Sequence, residues 1–401
     1  MPTLQNEETA RQDRLLRNVL LIFGISGAAA QPLGSLIPFL RSSYGLSYEF
    51  SGILLSVNSL GNLLGILLSG FLPALLGRRK TILTIGTWMA VAYLIFTLGL
   101  GAPAILLAAC LMVGFSRGGS GNFSNTMVST LPGDRATRGF NLLHGAFATG
   151  ALLSPLLLVA CSAWKPQNGW RVMTGFVFLL CLVQVIFYLR MELPVEHRAE
   201  SGRALDLSFL KIPQFWMGSM MLFFYVSSEY AITGWLVTYF QDIGVLSASQ
   251  SQMMNSLLWL VIFLGRMVGA SLTGKVSKSA ILMADGIGFF AFFLLLLVSR
   301  TPGLVILGIM GSGFFMATVF PTSFAFGSQY TKGNDLCSSI LTLTGSLGGI
   351  LTPALVGFVA ERTGSIQSGM SLVAIFVGLL LTCILVSVLL NRRLNAKAVK
   401  R

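Results

Sequence analysis

The chain has 401 residues, of which 54% are hydrophobic and only 10% are charged, and its mean hydropathy is +0.79. A soluble domain carries about a quarter of its residues as Asp, Glu, Lys or Arg, so this composition excludes a soluble globular protein. The net charge of +13 comes from residues in short loops and tails, which argues against nucleic acid as a partner, and the five scattered cysteines predict neither a disulfide framework nor a metal cluster.

Long apolar stretches occur along the whole chain, and twelve of them reach the roughly 20 residues that cross the hydrocarbon core of a bilayer. Continuous apolar runs predict helices, because a helix satisfies its own backbone polar groups inside lipid. The first set of predicted spans covers residues 18–40, 50–76, 81–100, 103–130, 140–163 and 170–190. The second set covers residues 214–240, 249–273, 279–299, 303–329, 337–360 and 367–390.

The longest polar segment of the chain lies between these two sets. It predicts an N-terminal half of residues 1–190, a cytoplasmic linker of residues 191–212 and a C-terminal half of residues 213–401. Lys and Arg beside spans are retained on the cytoplasmic side, and 20 of the 27 fall there when the N-terminus is inside. The sequence therefore predicts an all-α membrane protein with twelve transmembrane helices in two pseudo-symmetric six-helix halves, located in a bacterial inner membrane with both termini in the cytoplasm.

A short internal repeat relates the two halves. Gly150-Ala-Leu-Leu-Ser-Pro155 in the fifth predicted span matches Gly348-Gly-Ile-Leu-Thr-Pro353 in the eleventh, an offset of 198 residues. The same offset aligns Glu229 in the seventh span with Gln31 in the first. Many secondary transporters are built from such duplicated halves, which rock around a site near the middle of the membrane.

The loop after the second predicted span carries the sequence Gly70-Phe-Leu-Pro-Ala-Leu-Leu-Gly77-Arg78-Arg79-Lys80. Together with the twelve spans in two halves, it resembles the Gly-x-Leu-x-Asp-x-x-Gly-Arg-Lys signature of the major facilitator superfamily, and the resemblance covers nearly the whole chain. It implies a carrier that alternates access across the membrane, with this loop as a gating element. The acidic position of the family is Ala74 here, so the charge lock that the motif implies is incomplete, although the two arginines are expected to contact helix C-termini, where cations are favoured.

Two further stretches resemble the fucose permease-like sugar:proton symporters and their animal sodium-glucose relatives. They are Asn141-Leu-Leu-His144-Gly-Ala-Phe-Ala-Thr-Gly150 and Tyr225-Val-Ser-Ser-Glu229-Tyr-Ala-Ile-Thr-Gly-Trp235. The resemblance implies uptake of a sugar or a related polar metabolite. Members of that branch carry an acid in span four, four residues before an Asn, whereas this chain has Gly118 before Asn122, so proton coupling through span four does not transfer.

Charged residues inside spans are the first candidates for function, because an isolated charge at the centre of a membrane helix costs on the order of 2.5 to 3.5 kcal/mol. Glu229 is interpreted as a carboxylate that binds solute hydroxyls or accepts a proton, with a structural salt bridge as the alternative. Arg117 either binds an anionic group of the solute or pairs with Glu229, with a purely structural role as the remaining alternative. Arg266 is expected to reach the membrane surface, and Asp285 to serve at a helix end or in a bridge, with coupling as the alternative.

Uncharged polar residues in the spans are candidates for sugar recognition, since hydroxyl groups are read by fixed donors and acceptors. With Arg117 and Glu229, the candidate substrate-binding set is Gln31, Asn58, Asn62, Asn122, Asn125, His144, Asn255 and Trp259. For each of these residues, hydrogen bonding between helices is the alternative role. The candidate coupling residues are Glu229, Arg117 and Asp285, and His144 is a further proton-linked candidate with packing as its alternative.

These features predict a secondary transporter of a small polar solute, a sugar or a related metabolite, that moves with a proton or another cation. A drug or metabolite exporter, or an organic-anion antiporter suggested by Arg117, is the alternative; the Gly-Pro pair usual in span five of drug antiporters is absent, because Ala151 follows Gly150. The sequence has no GxxxxGK[ST] loop and no clustered acids, histidines or nucleophile, so an ATP-driven pump and an enzyme are not expected. We expect no catalytic residue, metal or cofactor, and a monomer whose partners are its solute, the co-transported cation and the lipid bilayer.

Overall fold

The computed structural model describes residues 2–132, 134–191, 193, 208–272, 274–328 and 335–399. These residues are mostly α-helical, with a short 3₁₀ helix at Ser208–Lys211. The first helices are α1 (Pro2–Ala30), α2 (Pro32–Tyr44), α3 (Tyr48–Leu76), α4 (Arg78–Leu98), α5 (Pro103–Ser129), α6 (Asp134–Trp164) and α7 (Gly169–Arg190). They are followed by α8 (Pro213–Asp242), α9 (Ala248–Leu272), α10 (Lys278–Val298), α11 (Pro302–Met316), α12 (Val319–Ser328), α13 (Asp335–Thr363) and α14 (Ile366–Val399).

Within the described residues, twelve helical stretches are long and apolar enough to cross a membrane. The first stretch combines α1 with α2, and the tenth combines α11 with α12, whereas each of the other ten is a single helix. The prediction of an all-α protein with twelve membrane-spanning helices is therefore confirmed.

The described chain separates into two compact units. The first unit contains Met1–Gly45 and Val57–Glu200, and the second contains Leu46–Ser56 and Ser201–Arg401. The division runs through α3, whose first turns belong to the second unit. Of the predicted linker, residues 191–212, most lies outside the described residues.

Prolines explain the two broken spans. The helix α1 ends at Ala30, and α2 begins at Pro32, which has no backbone N–H to donate to the preceding turn. In the tenth span, the helix is interrupted at Ala317 and Thr318, and Pro321 removes the donor that the Ala317 carbonyl would otherwise receive four residues later. Both breaks leave backbone polar groups outside the helical hydrogen-bond ladder.

Glycines bring α3 and α5 into backbone contact in the first unit. A Cβ atom at Gly114 would lie 1.9 Å from the carbonyl oxygen of Asn58, and one at Gly118 would lie 2.1 Å from that of Asn62. No side chain fits at either position, so only glycine allows the two helices to approach this closely.

The internal repeat corresponds to equivalent packing in each unit. In the first, a Cβ at Gly150 of α6 would lie 2.1 Å from the carbonyl oxygen of Gly24 on α1. In the second, a Cβ at Gly348 of α13 would lie 2.4 Å from the carbonyl oxygen of Phe223 on α8. The repeated motif therefore places a small residue at the contact between the first and fifth spans of each unit.

The first turns of α3 are attached to the second unit through Tyr48. The backbone N–H of Tyr48 donates to Oε2 of Glu361 at 2.7 Å, and its hydroxyl donates to Oδ2 of Asp242 at 2.6 Å. Two turns further on, the backbone N–H of Ala354 donates to Oγ of Ser56 at 3.1 Å. These bonds fix the start of α3 within the second unit.

Candidate solute and coupling site

Charged residues of the second unit gather around the Tyr225 side chain. Tyr225 and Glu229 lie one turn apart on α8, and the Tyr225 hydroxyl lies next to the Glu229 carboxylate. Arg266 on α9 and Asp285 on α10 lie within electrostatic range of the same hydroxyl. Tyr225 is fully buried, Glu229 is half-buried and Arg266 is exposed, so this group extends from the interior of the second unit to its surface.

Asp285 is the most enclosed of these charged residues, with only 7% of its surface exposed. It lies seven residues into α10, about 10 Å from the first residue of that helix at 1.5 Å per residue, and so beyond the first turn where a helix dipole acts. Its Oδ2 atom accepts a hydrogen bond from the hydroxyl of Thr318, at the break between α11 and α12. Asp285 therefore bridges α10 to a broken helix.

Three candidate residues present a buried polar atom that has no hydrogen-bond partner within the described part of the chain. These atoms are Nε2 of Gln31, at the break between α1 and α2, Oδ1 of Asn125 on α5, and Nε1 of Trp259 on α9. A buried polar group without a partner costs about 1–3 kcal/mol. A bound polar solute that supplied the missing partner would remove that cost, which makes these three the best-placed uncharged candidates.

The three other candidate asparagines on α3 and α5 lie where these two helices meet. Nδ2 of Asn58 donates to the carbonyl oxygen of Cys110 at 3.1 Å, and Nδ2 of Asn122 donates to Oγ of Ser69 at 2.9 Å. Asn62 lies at the close contact of α3 with Gly118. The bonds of Asn58 and Asn122 are those expected from the alternative of interhelical hydrogen bonding.

The remaining polar candidates occupy different surroundings. His144 on α6 is exposed, and its ring meets that of Phe23 edge-on, with centroids 6.1 Å apart. Asn255 and Trp259 lie one turn apart on the buried face of α9, together with Gln252. Arg117 on α5 is half-buried and belongs to the first unit, whereas Glu229 belongs to the second.

The predicted gating loop forms the junction between α3 and α4. Gly77 has a φ of +80°, in the region that favours glycine, and directly precedes α4. Nη1 of Arg79 donates to the carbonyl oxygens of Tyr188 and Leu189, both at 2.6 Å, at the C-terminal end of α7. The guanidinium therefore contacts a helix C-terminus, as expected, and complements the negative end of its dipole.

A small cavity of about 140 Å³ lies beside this loop. Its wall includes Gly70 and Arg78 from the loop, Thr81 from α4, and Asn122 and Thr126 from α5. Asn122 therefore faces the gating loop, together with its hydrogen-bond partner from α3.

Sequence reasoning missed a buried hydrogen-bond network inside the first unit. Nε2 of Gln184 donates to Oγ of Ser26 at 2.8 Å, and the Ser26 and Ser120 hydroxyls are 2.8 Å apart. The Ser120 hydroxyl is also 2.9 Å from the Tyr188 hydroxyl, which links α1, α5 and α7. The four-residue spacing of Gln184 and Tyr188 was the available signal.

Two uncharged partners of the acidic residues in the second unit, Tyr225 and Thr318, were missed as well. Tyr225 precedes Glu229 by four residues and therefore shares its helix face, a pattern that is visible in the sequence. Thr318 had no such signal, because its contact with Asp285 depends on how α10 and α12 pack.

Known proteins resemble this chain over most of its length. An uncharacterized MFS-type transporter of Yersinia pestis is 23% identical over 347 residues, which cover 85% of this chain and 88% of that protein. Sodium-dependent glucose transporter 1 of Xenopus laevis is 25% identical over 78% of this chain and 68% of its own length. A putative proline/betaine transporter of Staphylococcus haemolyticus is 24% identical over 68% of this chain and 62% of its own length.

Among solved structures, that of a D-xylose-proton symporter superposes with a TM-score of 0.73 and 14% identity, covering 93% of this chain and 95% of the symporter. The model of the Major Facilitator Superfamily matches residues 19–336, more than half of the sequence. These matches agree with the twelve spans, the two units and the basic loop before α4. The chain belongs to the Major Facilitator Superfamily of transporters and is not an enzyme.

Proposed function

We propose that this chain is a secondary active transporter that moves a sugar or a related polar metabolite together with a proton or another cation by alternating access. The observation that carries the proposal is the charged group around Tyr225 in the second unit, formed by Glu229, Arg266 and Asp285. Ionisable side chains in the interior of a membrane bundle are costly, and they mark pathways for solutes and ions.

The chemistry of this group suits a neutral, hydroxyl-rich solute. A carboxylate accepts hydrogen bonds from sugar hydroxyls, and the neighbouring phenol of Tyr225 can both donate and accept. Of the two acids of the group, half-buried Glu229 is more accessible than Asp285. We therefore assign solute binding and coupling to Glu229, with Tyr225 orienting its carboxylate.

The names of the relatives suggest classes of solute but do not identify one compound. The Xenopus relative is named for glucose and the structural neighbour for D-xylose, which supports a sugar. The Staphylococcus relative is named for proline and betaine, which are small zwitterions. A panel that contains both classes is therefore the appropriate first test.

Counterflow in proteoliposomes tests the proposal directly, because exchange down a solute gradient requires a carrier but no coupling ion. Vesicles preloaded with a neutral sugar, a sugar acid, betaine or a cationic drug would be offered the same labelled compound outside. The proposal predicts counterflow with a sugar or a related neutral metabolite. Counterflow with the cationic drug alone would contradict it and favour the exporter alternative.

A matched pair of variants tests the assigned residue. Glu229→Gln removes the charge inside the bundle, whereas Glu49→Gln makes the same chemical change at an exposed residue in the first turn of α3. We expect Glu229→Gln to abolish concentrative uptake while the protein stays folded, and Glu49→Gln to behave as the native protein. Equal uptake by both variants would remove Glu229 from the coupling role.

Arg117 supports a second candidate, an organic-anion carrier, because a guanidinium inside a span suits a carboxylate or phosphate. Arg117→Lys keeps the charge but loses the planar pair of donors. If an anion is the solute, this variant should weaken binding of the sugar acid more than that of the neutral sugar. Equal loss for both compounds would favour a structural role.

The membrane topology is also a proposal. The distribution of Lys and Arg places both termini in the cytoplasm and the loop that contains Lys165 on the opposite side. Lys165→Cys in a chain without its native cysteines should react with an impermeant thiol reagent added to intact cells. Labelling of Lys275→Cys instead would reverse the orientation.

A further inference from the structure

The break in the tenth span is attached to α10 at two points. Nζ of Lys278 donates to the carbonyl oxygen of Ala325 at 3.3 Å, and Thr318 donates to the carboxylate of Asp285. The two contacts are separated by seven residues on each chain segment, which is two helical turns. The helix α12 is therefore held against α10 at both ends of a two-turn stretch, and Asp285 holds the end that adjoins the break.

The contact of Asp285 with Thr318 depends on the charge of the carboxyl group. An ionised carboxylate accepts a charge-assisted hydrogen bond, which is about twice as strong as a neutral one. A protonated carboxyl needs an acceptor for its own proton. Protonation of Asp285 therefore removes the charge that strengthens its bond from Thr318.

The helices packed against Asp285 bring few other titratable groups to it. The helix α10 packs against α11, α12 and α14. The first two contain no ionisable residue, and the apolar part of α14 contains only Cys383. Beyond these, Glu229, Tyr225 and Arg266 lie in the charged group described above.

We propose that Asp285 is a second proton-binding site, separate from Glu229, and that its proton occupancy sets how firmly the α11–α12 break is held against α10. This inference rests on the proposed function, since it names a further site for the coupling ion and the moving element of that transporter. The ionised carboxylate holds Thr318 and fixes the break. Protonation weakens that bond, and the break in the tenth span opens more readily.

A proton fits this site better than a sodium ion. A sodium or larger cation needs several oxygen ligands, whereas the oxygen atoms shown at Asp285 are its own carboxylate and the Thr318 hydroxyl. No cluster of three or more acidic, His or Cys side chains suited to a metal ion occurs in the described part of the chain.

Hydrogen exchange of the backbone amides around the α11–α12 break tests this inference without any transport assay. The protein in lipid nanodiscs would be exchanged between pH 5 and 8, and the protection of peptides that cover residues 311–327 would be corrected for the intrinsic pH dependence of amide exchange. We expect about tenfold less protection at low pH, the factor by which a charge-assisted hydrogen bond exceeds a neutral one. Peptides from α4 serve as the internal control and should not change.

Variants identify the side chain that causes the pH response of hydrogen exchange. Asp285→Asn should show low protection of residues 311–327 at every pH, and Glu229→Gln should keep the native pH response. Should Asp285→Asn fold poorly, Thr318→Val removes the donor instead and should give the same flat profile, while Thr318→Ser restores the response. A pH response that survives in Asp285→Asn, or that disappears only in Glu229→Gln, would overturn the proposal.

Two further comparisons identify the bound ion and distinguish failure of this inference from failure of the proposed function. Replacing choline chloride with sodium chloride at constant pH should leave protection unchanged; an increase with sodium and none with pH would overturn the assignment to a proton. Absence of counterflow for every compound would refute the transport proposal even if the exchange results hold. Conversely, counterflow together with pH-independent exchange would refute the role of Asp285 alone.

Discussion

The contact between α3 and α5 gives a prediction whose size follows from the structure. Gly118→Ala would place a Cβ atom 2.1 Å from the carbonyl oxygen of Asn62, so the two helices would have to separate by about 1 Å. Gly121→Ala lies three residues along the same helix, and its Cβ would meet Phe23 at an ordinary 3.7 Å. The second substitution is therefore a matched control.

The difference between the two variants isolates the packing cost. Both gain the same helix propensity, about 1 kcal/mol for Ala over Gly. Overpacking a close contact costs about 1–3 kcal/mol, so Gly118→Ala should be less stable than Gly121→Ala by that amount. Gly121→Ala itself should be as stable as the native protein or slightly more stable.

Thermal unfolding with a thiol-reactive dye provides the assay, because Cys110, Cys161, Cys181 and Cys337 are buried in the folded protein. Their reaction with the dye reports unfolding. We expect Gly118→Ala to melt several degrees below Gly121→Ala in the same detergent. Equal melting temperatures would refute the close approach of α3 and α5.

Three further predictions concern individual hydrogen bonds and are measured by the same melting assay. Arg79→Gln removes both bonds to the end of α7 and should lower stability by about 1–3 kcal/mol, whereas Lys80→Gln next to it should have little effect; equal effects would contradict the helix-end contact. Gln184→Leu leaves buried hydroxyls with fewer partners and should cost about 1–3 kcal/mol, and a neutral result would show that the network adds no stability. Tyr48→Phe should cost about 1 kcal/mol, but much less once Asp242→Asn is present, and additive losses would argue against their hydrogen bond.

The sequence was sufficient for the architecture because its signals are local. Each span is a run of apolar residues, and the motif ending in Arg79 marks the turn before α4. The repeated glycine at positions 150 and 348 also appears at equivalent contacts in the structure. Such features depend on composition and spacing and need no knowledge of how helices pack.

The sequence alone did not identify the hydrogen-bond partners of the polar residues inside the spans. Asn58 and Asn122 were solute candidates on residue type alone, and the structure shows their amides bonded to α5 and α3. Asp285 was expected at a helix end or in a bridge, and its bond to Thr318 required the break caused by Pro321 in another span. Which residues share a site is set by helix rotation, which apolar spans specify weakly.

Solute accumulation under an imposed proton gradient tests the central claim, that charged side chains of the second unit couple ion and solute movement. Proteoliposomes containing the native chain should concentrate the solute identified by counterflow above its external level, and collapse of the gradient should release it. Glu229→Gln vesicles should equilibrate the solute without concentrating it. Accumulation that is equal in both, or that persists without any ion gradient, would contradict the account.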